Sequence, residues 1–355
     1  MSSWTFNVPD FTVKADSRLI LGGQPMLNIG LAGLGWWGKH MTRTLEQSKK
    51  INLVRAAEVN IDGMQDFIAE NSLLATGNFD DLLTDSNVDA IILATPHALH
   101  ENQIAKAANA GKHVFCEKPL GLTKASAKRS VAACNKAGVI LGVGHERRFE
   151  PALQEIKRMI SEGELGTIMQ AEANFSHDIL ANMPEGDWRT KSDNAPAAGM
   201  TAMGIHLSDA YVWMFGPAEE VYAQVAHRVA KQENGDVVMA QIRFKSGSLG
   251  YLNATMVTPF FMRYQVFGSE AWVEARDSAH PEHGGLTTLT VCKKGGTPES
   301  RTMEASNTVL DNLENFADAI AGTGTYINKQ AEMIENIALL EGVTQSVATG
   351  NVVKL

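Results

Sequence analysis

The chain has 355 residues, 44% of them hydrophobic and 20% charged, with a formal net charge of −9. That length exceeds the reach of one hydrophobic core and favours two domains, and the composition excludes disordered, fibrous and membrane-spanning classes. The acids are spread along the chain and no basic stripe is present to neutralise phosphates, so nucleic acid is not expected as a partner and a small molecule is.

Residues 1–25, which include Asp10, Lys14, Asp16, Arg18 and Gly22-Gly23, precede the first clear strand and read as an N-terminal arm. From Met26 the pattern is strand, glycine turn, helix, strand. An apolar run at 27–32, of the buried parallel kind, leads straight into Gly33-Leu34-Gly35-Trp36-Trp37-Gly38 and a helix through 45. A strand at 53–58, helices at 62–70 and 80–84, and a second buried strand at 88–94 follow. Next come a helix at 98–110, a strand at 113–116, a helix at 123–137 and a strand at 139–143. Such alternation means right-handed crossovers and a doubly wound parallel sheet, an α/β Rossmann domain over 26–148.

After His145 the texture changes. A helix at 150–162, a strand at 167–176, an irregular stretch at 177–199 and a helix at 200–214 precede alternating segments at 221–228, 236–244, 248–256 and 264–267. Helices at 308–321 and 329–348 close the chain. The pattern predicts an α+β domain over 149–355 with a large, mainly antiparallel open sheet. The cysteines Cys116, Cys134 and Cys292 are odd in number and widely spaced, which indicates reduced thiols and neither a disulfide framework nor a zinc site. No run approaches the roughly 18 apolar residues of a membrane span, and no secretory pattern opens the chain, so a cytoplasmic location is expected.

A glycine turn placed between strand and helix is the signature of a dinucleotide site. Gly33 permits the tight turn, Gly35 lets the backbone approach a pyrophosphate, and Gly38 allows close packing of helix on strand, with the phosphates at the helix N-terminus. Glu58 ends the second strand twenty residues after Gly38, where an acid takes the ribose hydroxyls. No arginine follows it closely, and a carboxylate there repels a 2'-phosphate, so NAD is expected, with NADP as the alternative.

Several further segments go beyond a generic Rossmann fold: Thr95-Pro96-His97-Ala98-Leu99-His100, Gly111-Lys112-His113-Val114-Phe115-Cys116-Glu117-Lys118-Pro119-Leu120, Gly144-His145-Glu146-Arg147-Arg148-Phe149-Glu150-Pro151, Trp188-Arg189 and Gly204-Ile205-His206-Leu207-Ser208-Asp209. With the glycine turn, they resemble the glucose-fructose oxidoreductase, inositol dehydrogenase and rhizopine catabolism (Gfo/Idh/MocA) family. The resemblance implies that Lys118 lies between nicotinamide and substrate, that Pro119 is a cis proline, and that His206 faces Lys118. It places Trp36, Trp37, Thr95, Pro96, His97, His100 and Glu117 around the cofactor. The residue types suit the chemistry, because oxidising a secondary alcohol needs a base near neutrality and an ammonium stabilises the developing alkoxide. His97 and His100 are spaced i, i+3 but lack a third ligand, so no metal is expected and they are assigned to the nicotinamide neighbourhood or to packing.

Arg147 follows the last Rossmann strand, where sheet-edge ligands bind, and is taken as a substrate contact with Arg148 as its structural neighbour. His177, Asp178, Trp188 and Arg189 fall in the irregular stretch and are further substrate candidates. Many family members carry an Asp four residues before the His, whereas Ala202 stands here; Asp178 or Asp209 are the candidate replacements, Asp209 being one that can orient the ring from the same helix. The expected activity is hydride transfer between the nicotinamide and a secondary alcohol of a sugar, cyclic polyol or related hydroxylated ring. A non-catalytic NAD-binding regulator and an NAD-recycling lyase or glycosidase are the alternatives. The resemblance also implies that the open sheet packs against its counterpart in a homodimer or homotetramer.

Overall fold

The structure, a computed structural model, describes residues 26–181, 183–184, 186–280 and 284–355. The N-terminal arm read from the sequence lies outside the described residues. The first half alternates β1 (Leu27–Ala32), α1 (Trp36–Leu45), β2 (Ile51–Ala57), α2 (Gln65–Glu70), β3 (Ala75–Thr76), α3 (Asp80–Thr84), β4 (Ala90–Leu93), α4 (His100–Asn109), β5 (His113–Cys116), α5 (Lys124–Ala137) and β6 (Leu141–Val143). The six strands form one parallel sheet in the order β3-β2-β1-β4-β5-β6. That is the doubly wound dinucleotide order, with its switch between β1 and β4. Helices cover both faces, which is why β4 can be Ala-Ile-Ile-Leu with every residue buried. Local signals agree: Thr123 and Ser126 form a capping box at the start of α5, and Gly138 ends it in the left-handed region.

The second half contains α6 (Pro151–Ser161), β7 (Ile168–Ser176), α7 (Gly204–Phe215), β8 (Ala218–Ala226), β9 (Val237–Phe244), β10 (Leu249–Thr255), β11 (Phe261–Gly268), β12 (Ala271–Asp277), β13 (Leu286–Lys293), β14 (Glu299–Glu304), α8 (Thr308–Ala321), α9 (Gln330–Thr349) and β15 (Val353–Lys354). Nine of these strands form a sheet in the order β14-β13-β12-β11-β7-β10-β9-β8-β15, antiparallel except for the β7–β10 pair. The sheet is wider than the alternating segments at 221–267 indicate, because β12, β13 and β14 lie beyond them; β12 does alternate, with Ala271, Val273 and Ala275 buried. In β14, Glu-Ser-Arg-Thr-Met-Glu, no residue is buried, so no apolar face announces it.

One face of this sheet lies under α7 and α9, and the other is open. Tyr222, Gln241, Arg243, Tyr251 and Glu172 stand on the open face beside the exposed apolar side chains Met239 and Leu249. The chain then returns to the first sheet through α8. Asn312 Nδ2 donates to Val143 O at 3.0 Å, Tyr326 OH accepts from Val143 N–H at 2.9 Å, and the Phe316 ring meets Phe115 edge to face at 5.6 Å. These contacts seat α8 on the first sheet, and α9 packs against both α5 of the first half and β8 of the second sheet. Among the described residues no helix is long and apolar enough to cross a membrane.

Candidate active site

A cavity of about 780 Å³ runs between the two sheets, along the carboxyl ends of β1, β2, β4, β5 and β6. Ligands of open α/β sheets collect at those ends. At one end the glycine turn forms the wall, and its three glycines have different physical duties. Gly33 has φ +95°, and a Cβ on it would sit 2.6 Å from Ala94 O. A Cβ on Gly38 would lie 1.9 Å from Gly33 O, so Gly38 brings α1 onto the turn. A Cβ on Gly35 would meet nothing within 4 Å, and Gly35 faces the cavity. The turn's only free approach is therefore at Gly35, directly before the first residue of α1, where unsatisfied helix N–H groups favour an anion.

Glu58 lies beside that turn. Its Oε2 accepts from Leu34 N–H at 2.7 Å and its Oε1 from Asn60 N–H at 2.9 Å, which leaves lone pairs on both oxygens at the cavity wall. Trp36, 60% exposed, and Trp37, stacked on His40, complete this end. Thr95, Pro96 and His97 line the opposite wall. His97 Nδ1 is 3.0 Å from Asn194 O and its ring meets Trp188 edge to face at 4.6 Å, while Arg189 stacks over Trp188 at 4.3 Å. The cavity thus combines a phosphate-sized opening at a helix N-terminus with a carboxylate placed for vicinal hydroxyls, and the residues fit a nicotinamide dinucleotide.

The inner end is dominated by ionisable side chains drawn from both sheets. The Lys118–Pro119 peptide is cis, and Lys118 Nζ donates to Ala202 O at 2.8 Å. His206, on the first turn of α7, is 4% exposed and lines the same space with Glu117, Glu146, Arg147, His177 and His280. Arg147 Nη1 donates to Glu150 at 2.7 Å and its guanidinium lies 5.2 Å over the Phe175 ring. Burial and the Lys118 ammonium hold the His206 imidazole well below its ordinary range, and the same two causes lower His177 to about 4. Both rings are neutral at neutral pH. Burial, reinforced by the charge of Glu146, pushes the Glu117 carboxyl up to about 8, and burial raises Glu146 as well.

Five residues expected in the site do not line the cavity. Asp209 is buried against Arg148, which grips it with Nε at 2.8 Å and Nη2 at 2.7 Å, so it neither meets a ligand nor orients His206. Arg148 reaches Glu332 of α9 as well, which makes this ion-pair group a structural tie between α7, α9 and the turn after β6. Asp178 points to solvent one residue past His177. His100 is fully buried, with Nδ1 2.9 Å from Pro119 O and Nε2 2.9 Å from Thr95 O; it holds the two cavity-lining loops together from behind. Pro119 is buried behind Lys118, and Gly38 packs inward as described.

Glu146, Phe175, Met256 and His280 line the site and were not anticipated. Glu146 is bracketed by motif residues but carries no spacing signal of its own. His280 follows β12, beyond the alternating segments at 221–267.

Two family models match the chain, one for an oxidoreductase family with an NAD-binding Rossmann fold over residues 27–145 and one for a GFO/IDH/MocA C-terminal domain over 153–274. The chain belongs to the Gfo/Idh/MocA oxidoreductase family. It is 28% identical to a 1,5-anhydro-D-fructose reductase of Ensifer adhaerens over 90% of its own length and 98% of the relative's. It is 29% identical to a myo-inositol 2-dehydrogenase of Thermotoga maritima over 70% of this chain and 75% of that one. Among solved structures, an oxidoreductase from Desulfitobacterium hafniense matches with a TM-score of 0.85 at 24% identity, covering 94% of this chain and 98% of that one. Levoglucosan dehydrogenase with NADH and L-sorbose matches with a TM-score of 0.82 at 20% identity, over 93% and 99%. As a Gfo/Idh/MocA member, the protein is an NAD(P)-dependent oxidoreductase whose N-terminal half is the nucleotide-binding domain.

Proposed function

We propose that this Gfo/Idh/MocA oxidoreductase interconverts a secondary alcohol and a ketone on a sugar, cyclic polyol or related hydroxylated ring, with Lys118 and His206 as catalytic residues and NAD preferred over NADP. The observation that carries the reading is the meeting of an ammonium and a neutral imidazole at one end of a cavity whose other end is the glycine turn. Bound nicotinamide supplies the hydride acceptor or donor. In the oxidative direction His206 takes the hydroxyl proton, and Lys118, held by its bond to Ala202 O, donates a hydrogen bond to the oxygen as negative charge develops there. In the reductive direction the same two groups polarise the carbonyl and return the proton.

Neutral His177 and the fixed guanidinium of Arg147 provide hydrogen-bonding groups for ring hydroxyls, and Phe175 and Trp188 provide apolar surface for the ring's C–H faces and exclude water. Arg189, stacked on Trp188, extends the polar rim. The reductase and inositol dehydrogenase relatives act on hydroxylated rings by their names, which supports this substrate class. Glu58 supports NAD, because a 2'-phosphate would meet a carboxylate already committed to the turn. The open face of the nine-stranded sheet, with Met239 and Leu249 exposed beside Tyr251, supports a homodimer or homotetramer built on that face.

The test is fluorescence titration with NADH and NADPH followed by turnover on a panel of sugars, inositols and anhydro-sugars. Tighter NADH binding and turnover of at least one ring substrate, lost on His206→Asn, are expected. Preferential NADPH binding would refute the NAD assignment, and NADH binding without turnover in either direction across the panel would refute the substrate class.

A further inference from the structure

Glu146 opens the short turn after β6, is 7% exposed, and presents its carboxyl to the inner end of the cavity. Two buried nitrogens around it lack a hydrogen-bond partner among the described residues, His206 Nδ1 and Arg147 Nε. Both face the same oxygen: Nδ1 is 3.7 Å and Nε 3.4 Å from Glu146 Oε1. Leaving a buried polar group unpaired costs about 1–3 kcal/mol, and closing these gaps to hydrogen-bond distance takes a movement of roughly half an ångström. The charged and titratable groups that act most on the His206 ring are Lys118, Arg147, His145 and His280, all basic, and Glu117 lies beside Glu146. His145 has its own carboxylate, Asp209, at 3.8 Å. Ala202, the residue one turn before His206, offers only a methyl side chain, and its carbonyl is occupied by Lys118.

We infer that Glu146 is the positioning carboxylate of the active site, accepting a hydrogen bond from His206 Nδ1–H and so leaving the Nε2 lone pair free to act as the base. Arg147 Nε donates to the same oxygen and fixes it, while Arg147 Nη1 is held by Glu150. A ring nitrogen's proton is set by the bond its partner nitrogen makes, and an acceptor behind the ring stabilises the imidazolium once the front nitrogen is protonated. The inference rests on the alcohol-oxidising reading above. In that step the substrate O–H bond breaks and an Nε2–H bond forms, while the carbon's hydrogen leaves with its electron pair for the nicotinamide, so the substrate loses two electrons and two hydrogens.

The test is ¹⁵N-histidine NMR of the full chain at neutral pH, with the His206 signal assigned by His206→Asn and NADH binding of the parent measured alongside. The parent is expected to hold His206 as the Nδ1–H tautomer. Glu146→Gln, which keeps an acceptor oxygen, is expected to retain that tautomer, whereas Glu146→Leu and Glu146→Ala are expected to lose the preference. Two truncating variants are included so that a folding failure in one leaves the other to decide, with folding checked by thermal melting. An Nε2–H tautomer in the parent, or an Nδ1–H tautomer that survives both truncations, overturns the inference. A parent that shows the Glu146-dependent tautomer and binds no NADH overturns the oxidoreductase reading instead, so the two failures are distinct.

Discussion

At the scale of single residues, Glu58, proposed to take the ribose hydroxyls, is already engaged by the turn. It accepts two backbone N–H groups, from Leu34 inside the glycine turn and from Asn60 beyond β2, before any ribose arrives. Glu58→Gln keeps the shape but turns one acceptor into an NH₂ that faces a backbone N–H. Ribose hydroxyls then meet a neutral acceptor in place of a charged one, a loss of about 1 kcal/mol, so NADH affinity is expected to fall by roughly fivefold. NADPH affinity is expected to fall less, because the variant also removes the charge opposed to the 2'-phosphate. Paired dissociation constants check this, and an unchanged NADH-to-NADPH ratio counts against Glu58 as the discriminating group. His206 and Lys118 are a contrast in legibility: their residue types and flanking motifs mark them in the sequence. Glu146 is not marked, because only the fold brings the turn after β6 to the start of α7.

At the scale of elements, the strand–turn–helix unit from β1 to α1 was readable in full, since its apolar run, its glycines and its helix occupy consecutive positions. The same holds for α8, whose buried Val309, Leu313, Phe316 and Ala317 keep the helical period. What was not readable is pairing between distant elements: β14 carries no buried side chain to announce it, and Asp209 looks like a neighbour of His206 until Arg148 is placed against it. The spacing of Asp209 three residues after His206 is compatible with either partner, and the bidentate arginine wins by geometry and charge. The glycine turn also yields a paired prediction. Gly38→Ala puts a methyl into Gly33 O and forces α1 off the turn, an overpacking cost of about 1–3 kcal/mol. Gly35→Ala meets no protein atom and is expected to melt like the parent, yet to weaken NADH binding because the methyl projects where the pyrophosphate approaches. Thermal melting and NADH titration separate the two, and equal melting temperatures for both variants would contradict these assigned duties.

At the scale of the whole molecule, closing the two sheets on each other buries ionisable groups from both, and this makes stability depend on pH in a predictable direction. Burial raises Glu117 to about 8, and it raises Glu150 to about 8 despite the opposing charge of Arg147. Each binds its proton more tightly folded than unfolded, so its contribution is complete at acid pH and is lost as pH rises from the ordinary carboxyl range through 8. His145 and His177 are lowered to about 4, mainly by burial, so their contribution is present above the ordinary histidine value of 6.5 and is lost as pH falls from there to about 4. The slopes oppose each other on the acid side, where His206, also held well below its ordinary range, adds to His145 and His177 and the histidine contribution prevails. Above 6.5 the carboxyls act alone, each with a slope of about 1.4 kcal/mol per pH unit. The melting temperature of the protein without dinucleotide is therefore expected to fall as pH rises from 6.5 to 8 and to level off beyond. Glu117→Gln, which supplies a neutral side chain at every pH, is expected to make that fall shallower and to leave the loss near pH 4 in place. A Gln variant that falls as steeply as the parent between pH 6.5 and 8 would mean that Glu117 is already ionised in the folded cavity, and that burial does not raise it to about 8.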